Sequence, residues 1–311
     1  MTANSTGAAR VGDLSEQHFG QRLHDGIGVQ IGPFAARIVV RSERIVESLY
    51  RLYRDYALLP DDTVFSFHVR LDERRGVPGL RAPRVRFSVD GRAPHEDMPA
   101  EQALAVLEWG INLVIALRSH AFLMLHSAIA EFRGHAMLLP AAPGAGKTTL
   151  CAGLSLSGWR LFSDEFGLMR PGTPDMLPVP RPLALKNESI SVIRGFSANA
   201  NLGPEIPGTR KGTVAHLRPP GDSILRSEDA APVRWLVFPE WRPDTPCALI
   251  ELPKQEGFMH LATNAFNYEL LGESGYNAVA TLIGTASCHR FVYSDLNEAV
   301  ALLTDFANDD T

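Results

Sequence analysis

Apolar residues in the first 120 positions follow two different periods. "IGVQIGPFAARIVV" (27–40) is an apolar-rich run broken at Gly32-Pro33, which predicts one or two strands. "VFSFHVRL" (64–71) and "RVRFSVDG" (84–91) alternate apolar and polar positions, as half-buried strands do. Residues 42–56 instead repeat near 3.6 and end in "YRLYRDY", so Tyr50, Tyr53 and Tyr56 share one helix stripe that is expected to face a core. A stronger helix is predicted over 100–118, "AEQALAVLEWGINLVIALR", with Pro99 at its start. Its Glu108 and Trp109 are expected to serve packing and capping at a domain interface.

After residue 120 the character changes. "FLMLHSAIAEF" and "HAMLLPA" flank Arg133-Gly134 and predict a hairpin, "TLCAGLSLSG" a short helix ending at Gly158, and "WRLFS" a strand that delivers Asp164-Glu165. The Pro- and Gly-rich stretch 171–232 predicts loops with brief strands. Order returns with "GFMHLATNAFNYELLG" and "YNAVATLIG" as helices, "HRFVYS" as a strand, and "DLNEAVALLTDF" as a helix with Asp295 as N-cap. The first two dozen residues are small and polar. The expected division is therefore a disordered 1–24, an α+β N-terminal domain over 25–120, and a catalytic domain over 121–311.

The 311 residues can bury a sizeable core, and 45% hydrophobic with 21% charged residues is ordinary for a soluble protein. A net charge of -5 and a pI near 6.1 give no support for nucleic-acid or anionic-membrane binding as the main task. Cys151, Cys247 and Cys288 are dispersed and odd in number, which argues against a disulfide framework or a thiolate zinc site. No apolar h-region opens the sequence and no apolar run reaches about 18 residues, so a cytoplasmic protein without a spanning segment is expected.

The candidate chemistry begins at "LLPAAPGAGKTTL" (138–150), which reads as strand, turn and helix start. Gly146, Lys147 and Thr148 fill the last three places of the phosphate-loop pattern G-x-x-x-x-G-K-S/T, while Ala141 stands where the first glycine belongs. Gly144 and Gly146 still allow backbone N–H groups to turn inward around phosphate oxygens. The expected nucleotide-binding residues are Pro143, Gly144, Ala145, Gly146, Lys147, Thr148 and Thr149. Lys147 would reach the β- and γ-phosphates, Thr148 would face Mg²⁺, and the helix N-terminus would add positive charge.

If 135–140 and 159–163 are the two strands of a right-handed β-α-β unit, Asp164 and Glu165 emerge beside that loop. One carboxylate could then serve Mg²⁺ and the other accept a proton from an attacking hydroxyl. A two-residue turn at Arg133-Gly134 would pair Phe132 with His135 and bring His126 opposite Ala141, at the mouth of the loop. A one-residue slip would turn His126 to the other face. Arg210 and Lys211, in "GTRKGTVAHLRPP" (208–220), could belong to a mobile basic loop that closes over the triphosphate.

"HSAIAEFRGHAMLLPAAPGAGKTTLCAGLSLSGWRLFSDEFGLM" resembles the core of the HPr kinase/phosphorylase catalytic domain. The closer resemblance is to the HprK-related kinase A family, through "EWGIN", "LKNESI" (185–190), "GTRKGTVAHLRPP", "FNYELLGESGY" (266–276) and "VYSDLNEAV" (292–300). The resemblance implies an α/β P-loop kinase fold of the HPr kinase/phosphoenolpyruvate carboxykinase type with a mixed central sheet. It implies ATP and Mg²⁺ as cofactors, and Lys186 and Asn187 on the acceptor side. It also implies a protein or peptide acceptor, in systems that include a PqqD-like peptide carrier. The acidic pair departs from the HPr enzyme's Asp-Asp, with Asp164 matching the first acid and Glu165 replacing the second. The N-terminal region does not match that enzyme's own, so its hexamer is not implied and the homo-oligomeric state is left open. The expected function is a serine/threonine kinase, with a small-molecule kinase or a silent nucleotide-binding regulator as alternatives.

Overall fold

The computed structural model describes residues 8–76, 82–142 and 144–310. Where the small polar composition predicts disorder up to residue 24, the described part contains helix α1 (Glu16–Asp25). The cause is local: the Ser15 hydroxyl accepts the His18 N–H at the helix start, and Phe19 and Leu23 bury together one turn apart.

Strands β1 (Ile27–Ile31) and β2 (Phe34–Arg41) form a hairpin across Gly32, whose φ of +52° suits the turn. Helix α2 (Val46–Tyr53) follows, then β3 (Leu58–Leu59), β4 (Phe67–Arg74), β5 (Arg84–Val89) and β6 (Met98–Pro99). These strands form one mixed sheet of order β3-β1-β2-β4-β5-β6, with β2 and β4 parallel. Helix α3 (Ala103–Arg118) lies on it. Gly110 allows the close approach, because a Cβ there would sit 2.3 Å from the Phe87 ring of β5. The stretch Ala100–Arg118 is long and apolar enough to cross a membrane by length and composition, but 67% of it is buried within the fold.

The second half begins with β7 (Leu123–Leu125), β8 (Ser127–Phe132), β9 (His135–Pro140), α4 (Lys147–Leu156) and β10 (Arg160–Ser163). The single strand expected over 122–132 is thus two, parted at His126, because β7 leaves β8 to pair with a later strand. Next come β11 (Gly167–Met169), β12 (Asp175–Leu177), β13 (Leu183–Lys186), α5 (Glu188–Phe196), β14 (Ile206–Thr209), β15 (Gly212–Leu217) and α6 (Gly221–Leu225). The brief strands expected here are present, β13, β15 and β14 forming a small antiparallel sheet, and helix α5, which buries Ile190 and Ile193, is added to them. Strand β16 (Ala231–Trp241), unassigned from the sequence, is the pivot of the main sheet.

The tail contains β17 (Ala248–Glu251), α7 (Lys254–Thr263), α8 (Tyr268–Leu271), α9 (Glu273–Thr285), β18 (Ser287–Tyr293) and α10 (Leu296–Asp309). Asp295 caps α10 as expected, accepting the Glu298 N–H at 2.9 Å. The single helix expected over 257–272 is broken between α7 and α8. There the Asn267 side chain accepts the Met124 N–H at 2.9 Å and donates to the Phe122 carbonyl at 2.7 Å, tying the break to β7.

In the main sheet β10, β8, β9, β16 and β18 are neighbours in that order. Strands β9, β16 and β18 are parallel, and β8 is antiparallel to both β9 and β10. Strand β8 lies between β9 and β10, an arrangement the expected β-α-β unit allows. They still point the same way, so both end on one rim. The fold is a mixed α/β arrangement, and its core includes Trp159, Trp235, Phe162 and Phe291, each fully buried and worth about 1.5–3 kcal/mol. The hydrophobic cluster of the N-terminal half also takes in Phe166, Leu168, Val179, Ile206 and Ile224, so the two halves share packed surface.

Candidate functional site

The hairpin register runs from Phe132↔His135 to Ser127↔Pro140, which is the register the two-residue turn predicts. Arg133 (φ +49°) and Gly134 (φ +87°) occupy that turn with the left-handed conformations it requires. His126 and Ala141 are the next residues on the two chains beyond that last pair. Lys147 spans the two: its ammonium donates to the Ala141 carbonyl at 2.6 Å and lies 3.0 Å from His126 Nε2. The backbone holds His126 in place as well, its N–H donating to the Asn264 carbonyl at 2.7 Å, with the ring 5.4 Å from that of Phe266.

Between β9 and α4 the chain turns through Gly144 (φ +91°) and Gly146 (φ +83°). A side chain at Gly146 would be excluded twice over, by the left-handed backbone and by the Tyr293 hydroxyl, 2.2 Å from where its Cβ would stand. Helix α4 has no side-chain cap, so its first-turn N–H groups, Thr148 and Thr149 among them, are those a helix start ordinarily offers to an anion. Ala145 lies within the turn, its N–H donating to the Ala142 carbonyl at 3.3 Å. Pro143 lies outside the described residues.

Asp164 follows β10 directly and is buried; Glu165 beside it is half-buried, its N–H donating to the Ser163 hydroxyl at 3.3 Å. Burial pushes the Asp164 carboxyl up to about 7. The Glu165 charge adds to this, while Arg181, Lys186 and the Ala184 N–H oppose it. Burial likewise brings Lys147 down to about 8, against the fields of Glu165 and Asp164. His126 is lowered from its ordinary 6.5, by burial first and then by the Lys147 charge. A neutral imidazole with its proton on Nδ1 accepts the ammonium of Lys147 through Nε2. Lys147, His126, Asp164 and Glu165 thus act on one another electrically at the amino end of α4.

Two further residues join them: Lys186, which the resemblance puts on the acceptor side, and Arg181, which the sequence does not mark. Lys186, at the end of β13, contributes to the field at Asp164, Lys147 and His126. The next residue, Asn187, has φ +50°, and its carboxamide oxygen accepts the Thr213 N–H at 3.1 Å. Arg181 is buried under the site. Its Nη2 donates to Glu108 Oε2 at 2.5 Å, and Glu108 Oε1 accepts the Tyr53 hydroxyl at 2.8 Å. Glu108, read from the sequence as a packing residue, therefore anchors the cation that opposes protonation of Asp164. Only its place in "EWGIN", on an otherwise apolar helix, marks it in the sequence.

Arg210 and Lys211 are placed differently from the expectation. They form the turn of the β14–β15 hairpin, where the Thr209 hydroxyl donates to the Gly212 carbonyl at 2.6 Å. The Lys211 ammonium lies over the Trp109 ring at 5.3 Å, and Arg210 lines a hollow with Arg84, His95 and Trp109. Neither contacts the phosphate loop among the described residues. The hairpin is packed toward α3, where a Pro/Gly-rich composition predicts a mobile closing loop.

No family model matches the chain, and no curated protein matches it. Among solved structures it is similar to the Hpr(Ser) kinase/phosphatase from Coxiella burnetii, at 10% identity, over 60% of this chain and 95% of that one, with a TM-score of 0.28. A likeness of that size is too slight to support a conclusion about activity.

Proposed function

We propose that this chain is an ATP- and Mg²⁺-dependent kinase that moves the γ-phosphoryl group to a serine or threonine hydroxyl of a small protein or peptide. What carries the reading is the convergence of the Lys147 ammonium, the neutral His126 and the Asp164–Glu165 pair at an uncapped helix start behind two left-handed glycines. Phosphoryl transfer asks a protein chiefly for position and charge stabilisation, and this set supplies both.

In this reading the loop amides and Lys147 hold the phosphate chain. Lys147 exchanges its Ala141 and His126 partners for phosphate oxygens, and the added negative charge favours its protonated form. Asp164, buried and poised near 7, accepts the hydroxyl proton as the acceptor oxygen bonds to phosphorus and the bond to the leaving diphosphate breaks. Lys186 faces the transferring group and offsets its charge. Magnesium, when bound, neutralises phosphate charge, with Thr148 and Glu165 as its protein-side ligands. That sparse donor set fits an ion whose remaining ligands are phosphate and water.

The test is intact-mass analysis of proteins encoded beside this gene after incubation with the chain, ATP and Mg²⁺. Wild type is expected to add one phosphate to one of them, and Lys147→Ala and Asp164→Asn to add none. Nucleotide binding with no transfer to any protein, or phosphate appearing only on a small hydroxylated compound, would overturn the acceptor assignment. An Asp164→Asn variant as active as wild type would overturn the catalytic one.

A further inference from the structure

The phosphate loop has two flanks, and the chemistry described above occupies one of them. Strand β10, which carries Asp164, and β8, which His126 precedes, lie on one side of β9 in the sheet; β16 and β18 lie on the other. Because β16 and β18 run parallel to β9, their carboxyl ends reach the same rim, where ligand crevices of α/β sheets form. A cleft of about 450 Å³ opens there, a size usual for a small-molecule site. It is lined by Gly144 and Gly146 of the loop, by Trp241 and Tyr293, and by Val192 and Phe196 of α5. Lys147, His126, Asp164, Glu165 and Lys186 are not among its lining residues.

We propose that this cleft holds the nucleoside moiety of the bound nucleotide, with its planar base against the Trp241 indole and facing the apolar side of α5. The proposal rests on the kinase reading, which supplies the phosphate chain. A phosphate chain lying across the start of α4 has two ends. The carboxylates and Lys186 mark the reacting end, so the nucleoside leaves by the opposite flank, where the cleft begins. The cleft lining has the character a base requires. Trp241 is 48% exposed and Val192 44%, so both offer apolar surface to a ligand, and the indole is held still by its Nε1–H donating to the Ser294 carbonyl at 3.1 Å. Gly146 brings Trp241 and the loop together: a Cβ there would lie 3.3 Å from Trp241 Cβ, so base and phosphates would be read by adjoining surfaces. Glu188 and Asn297 supply polar groups at the rim for base edges or ribose hydroxyls. The same geometry excludes the phospho-acceptor from this cleft, since its hydroxyl has to reach Asp164 on the far flank.

The experiment compares the affinity of the full chain, with Mg²⁺, for ATP, GTP and inorganic triphosphate, by calorimetry and by tryptophan fluorescence. Trp159 and Trp235 are fully buried, so the exposed Trp241 is well placed to report. ATP or GTP is expected to quench emission and triphosphate to leave it unchanged. Trp241→Ala is expected to weaken the preferred nucleotide at least about ten-fold, as loss of a stacking partner does, without changing triphosphate affinity. Val192→Trp, which fills the cleft from α5, is expected to do the same by a different route. Triphosphate and nucleotide binding equally well to wild type, or both variants keeping nucleotide affinity, would overturn the cleft assignment and leave the loop assignment standing. Failure of wild type to bind nucleotide or triphosphate would overturn both.

Discussion

Replacing Asp164 by Asn is expected to abolish phosphoryl transfer and to stabilise the fold, and the stability gain is expected to depend on pH in a defined direction. The carboxyl is buried, and its folded-state value of about 7 lies above the ordinary 3.8. Between those values the folded state binds the proton that the unfolded state has lost. The stability contributed by the neutral carboxyl is therefore full below about pH 4 and is lost as pH rises through about 7. Above that the folded protein carries a desolvated charge that Asn lacks. At about 1.4 kcal/mol per pH unit, the separation of 3.8 from about 7 sets an upper limit of roughly 4 kcal/mol, part of it shared with Glu165. For a chain of this length that is a rise in Tm of up to about 8 °C. The assay is differential scanning calorimetry of wild type and Asp164→Asn from pH 4 to pH 9. The difference in Tm should be near zero at pH 4, grow steadily from there to about pH 7 and level off by pH 8–9. A pH-independent difference, or a variant less stable than wild type at pH 8, would show that Asp164 is ionised without strain and that its burial was misread.

Three further outcomes follow from the same geometry. Lys147→Met should weaken nucleotide binding by about 30-fold or more in calorimetry. In wild type the affinity should decline above about pH 8, as the free protein's Lys147 loses its proton. Glu108→Gln should lower stability by about 3 kcal/mol in chemical denaturation, because it leaves Arg181 buried without its counter-charge. It should also move the acid limb of the pH–rate profile to lower pH, since the unbalanced Arg181 favours the ionised Asp164. Gly146→Ala should reduce nucleotide affinity, and adding Tyr293→Phe should restore part of it by removing the hydroxyl that a Cβ would strike. The roughly 1–2 kcal/mol penalty of a left-handed non-glycine residue should remain.

Much of this protein is set by short-range sequence chemistry. The hairpin register follows from the two residues Arg133-Gly134, the helix start from Gly144 and Gly146, and the α10 cap from Asp295, because each depends on backbone preferences spanning a few residues. What the sequence could not decide was which distant strands become neighbours. β8 slips between β9 and β10, β16 becomes the pivot through pairings far apart in the chain, and β7 parts from β8 at His126 to pair with β11. Lys186 and Arg181 reach the site, and Arg210 and Lys211 turn to Trp109, because packing of the small β13–β15–β14 sheet and α3 aims them there. Local propensity places a residue in an element. Only the burial of whole sheet faces against one another selects which elements meet, and so which charges share a low-dielectric space.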